Sequence, residues 1–152
     1  MFSESLREGE SGEHVVWNLL QKSDTVRSIV DVRLDKEFQD KDIDFLVENN
    51  KRQFTSIEVK TDLKAHETGN LVYELSTSNH IGCFEKTEAK YIMYYIPASK
   101  IVHMIDVREL RNYVYTNRPD EIRMGDNATG FLIPLKDLIK ANVIKRTYKG
   151  VM

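Results

Sequence analysis

Two alternating runs separated by a short polar stretch constrain this chain more than any other feature. Asp42 to Glu48 (DIDFLVE) and Phe54 to Lys60 (FTSIEVK) place apolar residues at every second position, the period of a half-buried strand. Between them, Asn49-Asn50-Lys51-Arg52 is polar and of hairpin length. Ile43, Phe45 and Val47 then share one face with Ile57 and Val59. Asp42, Asp44, Leu46 and Glu48 share the other with Ser56, Glu58 and Lys60. A turn centred on Lys51 sets Asp44 across from Glu58 and Asp42 across from Lys60. A slip of one residue would send the two carboxylates to opposite faces. Matching the apolar residues to one core selects the register that gathers Asp44, Glu58 and Lys60.

Around this hairpin the 152 residues suffice for one hydrophobic core and one domain, residues 1–152. Val15, Val16, Leu19 and Leu20 recur at helical spacing, which predicts a helix from Ser11, as N-cap, to Lys22. Val26 to Leu34 and Asn70 to Leu75 read as further strands. From Thr77 to Ala89 the pattern is ambiguous, with a loop at Asn79 to Gly82 and a short helix near Lys86. Lys90 to Ile96 (KYIMYYI) is nearly continuous apolar, as in a central strand, and Pro97 ends it. Ile101 to Val107 is extended, and Asp106 caps a helix running through Tyr113. Arg118 to Gly130 is the most loop-like stretch, and Leu135 to Ala141 is a last short helix. The order predicts an α/β domain with a mixed β-sheet flanked by helices.

Composition excludes several classes. No apolar run approaches the ~18 residues of a membrane helix, and the polar start lacks the apolar centre of a signal peptide. Cys83 is the sole cysteine, so neither an intramolecular disulfide nor a thiolate cluster can form. These features suit an intracellular, cytoplasmic protein with no membrane partner. The net charge of −2 argues against a protein that merely coats nucleic acid. It argues less against an enzyme, because a carboxylate-rich metal site lowers net charge. Lys136, Lys140, Lys145, Arg146 and Lys149 against Asp137 alone form a basic C-terminal stretch, read equally as a phosphate-binding patch or a solvated tail.

Like charges opposed across a sheet are destabilising unless compensated. Two carboxylates with β-carbons roughly 5 Å apart can hold one divalent cation, and hard oxygen ligands suit Mg²⁺, with Mn²⁺ as substitute. The Val59 carbonyl would complete the protein's share. Lys60 beside them can orient or deprotonate a water, or offset charge on a phosphate. Glu13 reads either as a further ligand or as a helix-start glutamate favoured by the dipole, with Glu10 a weaker alternative. Glu74 reads as a surface glutamate that the next strand can bring near the site. Lys86 and Thr87, like Lys145 and Arg146, are candidate phosphate contacts. Asp62 and Lys64 suit either a DNA groove or a solvated loop. The four histidines lack ligand spacing.

Asp44, thirteen intervening residues, then Glu58-Val59-Lys60 resembles the core motif of the PD-(D/E)xK nuclease superfamily. Gly9-x-x-Gly12-Glu13 before the hairpin resembles the glycine-rich entry of its resolvase-like members. The resemblance covers about residues 9 to 96, and no proline precedes the acidic residue. Asp42 and Asp44 both qualify as that residue; Asp44 is preferred because it opposes Glu58. The resemblance implies a restriction-endonuclease-like core in αβββαβ order and a Mg²⁺-dependent DNA endonuclease. Asp44 and Glu58 would hold the metal, Lys60 would assist the water, and products would carry 5′-phosphate and 3′-hydroxyl ends. A Holliday junction-resolving or phage recombination and repair role on duplex or branched DNA follows from the small size of the chain. A homodimer with Ile139, Val143 and Ile144 near its interface would serve two strands of opposite polarity. The alternative is a catalytically inactive DNA- or protein-binding module on the same fold.

Overall fold

A computed structural model describes residues 2–76, 81–124 and 128–152. Helix α1 (Phe2–Gln21) leads into β1 (Val26–Asp31), the one-turn α2 (Lys36–Gln39), β2 (Phe45–Asn49) and β3 (Phe54–Thr61). Next come α3 (Ala65–Thr68), β4 (Asn70–Ser76), α4 (Cys83–Lys86) and β5 (Tyr91–Ile96). A 3₁₀ turn (Pro97–Ser99) leads to β6 (Ile101–Asp106) and α5 (Val107–Asn117). The chain ends through β7 (Glu121–Arg123), β8 (Thr129–Pro134), α6 (Leu135–Lys140) and β9 (Ile144–Lys149).

Six strands form one mixed sheet in the order β1-β2-β3-β5-β6-β9, and β4-β8-β7 form a second. The main sheet is antiparallel except where β3 runs parallel to β5, Glu58 lying beside Ile92 and Lys60 beside Tyr94. A parallel neighbour requires a crossover, and the stretch carrying α3, β4 and α4 supplies it. The hairpin register is the one counted from a turn at Lys51: Phe45 pairs with Ile57 and Glu48 with Phe54.

β5 is apolar throughout because both of its faces are covered. Ile92, Tyr94 and Ile96 join Tyr73 of β4, Phe84 of α4, Leu110 of α5 and Leu138 of α6 in one core. Met93 and Tyr95 join Val15, Val16 and Leu20 of α1 with Phe45, Val47 and Ile57 in the other. Asp106 caps α5 by accepting the Glu109 N–H at 3.0 Å, as its position before the helix predicts.

Several sequence expectations change. α1 begins at Phe2, so Ser11 lies inside the helix and is not its N-cap, and Glu13 is not a helix-start residue. Gly12 suits the packing: a Cβ there would meet Thr61 Oγ1 at 2.1 Å, so α1 lies close over β3 at this glycine. The expected single sheet is two, because β4 turns away to pair with β8. The loop-like stretch at 118–130 contains β7 and the start of β8, while Asn79 and His80 of the expected loop lie outside the described residues. The basic stretch divides between α6, which carries Lys136 and Lys140, and β9, an edge strand paired with β6 that carries Lys145, Arg146 and Lys149. Val143 and Ile144, expected at an interface, are core residues at 3% and 4% exposure; of that trio only Ile139 is exposed.

Candidate active site

Asp44 sits directly before β2, where the chain leaves a left-handed residue at Asp42 (φ 55°). Its carboxylate accepts the Val59 N–H at 2.8 Å, so the aspartate is tied to the middle of β3. A strand residue's N–H and C=O leave on the same side, which directs the Val59 carbonyl towards Asp44 as well. Burial pushes the Asp44 carboxyl up to about 6, against the opposing Val59 hydrogen bond. The nearby charges of Glu13 and Asp42 push it further and Arg33 opposes them.

Glu58 follows Ile57, the partner of Phe45, and turns to the face opposite α1. Its Oε1 lies 3.7 Å from Cys83 Sγ. Its Oε2 is buried with no hydrogen-bond partner. Burial raises this carboxyl to about 7, with Asp42 and Asp44 adding repulsion and Lys60 offsetting part of it. The Thr87 hydroxyl lies near enough to favour the charged form, but it donates its proton to the Asp42 carbonyl at 3.2 Å. Desolvation therefore governs. Two adjacent carboxyls that are both easier to protonate than usual, one with an orphaned buried oxygen, are short of positive charge.

Lys60 extends along the same face with Nζ 5.9 Å from the Phe84 ring centroid. Glu58, Val59 and Lys60 line a cleft of about 720 Å³ whose walls include Asp42, Asp62, Lys64, Glu74, Cys83 and Lys86. Asp42 does not pair with Lys60 as its register position predicts. The left-handed backbone takes it out of the ladder, and its carboxylate reaches Lys86 Nζ at 3.5 Å.

No family model, curated protein or solved structure matches this chain. Its functional reading rests on the cleft.

The remaining candidates are distributed unevenly. Glu13 binds the Arg33 guanidinium at 2.8 Å, and Arg33 also grips Asp31 at 2.7 Å and lies over the Phe45 ring at 5.4 Å. Glu10 is exposed. Glu74, read as a surface residue, lines the cleft from the second sheet. Lys86 stands at the cleft with its amine exposed, whereas Thr87 is 1% exposed and its hydroxyl holds the Asp42 carbonyl. Lys145 pairs with Glu109, and Arg146 is exposed on β9, four strand positions from β2 and away from the cleft lining. His103 is buried against Thr147 Oγ1 at 2.8 Å.

Sequence reasoning missed Arg33, Cys83 and Tyr94, whose hydroxyl donates to Asp62. Arg33 carries one local signal: it follows Asp31 by two residues in the turn after β1, where an aspartate side chain accepts the i+2 N–H, here at 3.1 Å. Nothing in the sequence indicates that α1 would deliver Glu13 to it.

Among the described residues, no three His, Cys, Asp or Glu side chains form a ligand cage. The oxygens that could hold a cation are fewer: two carboxylates and one main-chain carbonyl. All three are hard oxygens, which suit Mg²⁺ or Mn²⁺ and not structural zinc.

Proposed function

We propose that this chain is a metal-dependent phosphodiesterase acting on DNA, of PD-(D/E)xK type. The observation that carries the reading is the orphaned, buried Glu58 Oε2 in a cleft shared with Lys60; Asp44 is not a lining residue of that cleft but lies near enough for its charge to raise the Glu58 carboxyl. A structural ion-pair cluster would have no reason to bury a carboxylate oxygen without a partner. The order of helix, three-stranded antiparallel meander, crossover and parallel strand supports a restriction-endonuclease-like arrangement.

In this reading Asp44, Glu58 and the Val59 carbonyl hold the cation. When bound, Mg²⁺ supplies Lewis-acid polarisation of the phosphoryl group and acidifies water. The Val59 N–H fixes the orientation of Asp44. Lys60 offers a cation to the phosphate oxygen on which charge builds, or orients the attacking water. Water attacks phosphorus, the bond to the 3′ oxygen breaks, and that oxygen takes up a proton to leave as a hydroxyl. A junction-resolving or recombination role, and a two-fold dimer, belong to the same proposal through the two-strand task.

The test is a cleavage assay on linear, nicked and four-way DNA. Cutting is expected in Mg²⁺ and Mn²⁺ and not in EDTA. Ca²⁺ should support binding without turnover, because its looser shell positions water poorly. Equal activity in EDTA would overturn the mechanism. Binding without cutting under every metal would favour the inactive module on the same fold.

A further inference from the structure

Two large apolar side chains line the cleft while remaining open to solvent: Leu63 at 46% exposure and Ile81 at 59%. A single exposed leucine requires no explanation. Two from separate loops that line one charged cleft do. Leu63 lies between fixed points. The Asp62 N–H donates to the Tyr95 carbonyl at 2.9 Å. The Asp62 carboxylate receives the Tyr94 hydroxyl and the N–H groups of Lys64 and Ala65. Ile81 is held from the other side by Gly82, whose N–H donates to the Leu75 carbonyl at 2.9 Å. A Cβ on Gly82 would meet the Glu74 carbonyl oxygen at 1.9 Å, so only glycine lets this segment lie so close to β4. The chain thus keeps two hydrated apolar side chains in position at its cleft.

The cleft volume of about 720 Å³ falls within the ~300–1,000 Å³ range of small-ligand pockets. It suits a nucleotide or two, not the body of a duplex. Its charges point to phosphate: Lys60, Lys64 and Lys86 face Asp42, Glu58, Asp62 and Glu74. With Asp44 counted, three amines face five carboxyls, an excess of two negative charges that one bound divalent cation would offset, leaving the amines to meet a phosphate. An intact duplex presents phosphates and base edges, and its base faces stay stacked. Apolar side chains find a flat partner only where a nucleotide is unstacked.

We infer that the cleft takes an unpaired nucleotide, gripped between Leu63 and Ile81 with its phosphate towards Lys60. The substrate class is then frayed, branched or single-stranded DNA, and Leu63 and Ile81 are its specificity-determining residues. The inference rests on the nuclease reading and deepens it.

The test measures binding by fluorescence anisotropy in Ca²⁺ for a single-stranded oligonucleotide and a blunt duplex of the same sequence. Wild type and the double variant Leu63→Ser/Ile81→Ser are compared, with melting curves to verify folding; both positions are exposed. The single strand should bind about tenfold more tightly than the duplex, and the double variant should erase that preference. A duplex bound at least as tightly, or a preference that survives the double variant, overturns the inference while cleavage in Mg²⁺ still upholds the nuclease. Failure to bind or cut any DNA removes both.

Discussion

At the scale of single residues, the proposed nuclease uses Asp44 and Glu58 for their charge, held out of water, and their amides test that proposal. Asp44→Asn and Glu58→Gln keep shape and lose the charge for the cation, removing several kcal/mol of transition-state stabilisation. Each should lower cleavage about a hundredfold or more while DNA binding persists. Asp42→Asn should be milder, since its contact with Lys86 at 3.5 Å is partly exposed and such pairs contribute little. A dead Asp42→Asn beside an active Asp44→Asn would exchange their roles.

The same two carboxyls set a pH dependence. Both have folded values, about 6 and about 7, above their ordinary 3.8 and 4.5. Their stabilisation is therefore complete below the ordinary values and disappears as pH rises through the folded ones. In EDTA the protein should melt lower near pH 8 than near pH 5.5, Glu58→Gln should narrow that gap, and Mg²⁺ should restore the alkaline melt. A gap unchanged in Glu58→Gln would remove Glu58 from the account.

At the scale of elements, the contact between α1 and β3 is set by Gly12 over Thr61. An alanine at a helix interior ordinarily gains up to about 1 kcal/mol over glycine. Here the added methyl would lie 2.1 Å from Thr61 Oγ1, and overpacking of this kind costs about 1–3 kcal/mol. Gly12→Ala should thus destabilise. Thr61 Oγ1 is itself buried without a hydrogen-bond partner, so Thr61→Ala relieves the clash and strands no donor. The double variant should match or exceed wild-type stability in urea melts. Additive losses in that cycle would show that Gly12 and Thr61 do not meet.

At the scale of the whole molecule, a two-fold dimer remains the expectation for an enzyme with one site and a substrate of two opposed strands. Its interface cannot be built on Val143 and Ile144, which are in the core. Light scattering should give a dimer mass with DNA bound. A monomer both free and bound would point to a nicking or end-processing enzyme, for which one cleft is enough.

The hairpin was legible because strand alternation and a turn at Lys51 leave one register that buries Phe45, Val47 and Ile57 together. That register alone brings Asp44 and Glu58 side by side. β5 was legible for a related reason: a strand covered on both faces has no polar positions to spare. The second sheet was not, since β4 reads as a strand without naming its partner, and β8, TGFLIP, lacks the alternation that marks a strand. Burial of Val143 and Ile144 depends on β9 closing against β6, a pairing across the chain that local sequence does not encode. The cleft itself, with Glu74, Cys83, Leu63 and Ile81 around Glu58, is made by the crossover folding back over β3. Local periodicity assigns residues to faces; only long-range packing decides which faces meet, and so which carboxylate loses its water.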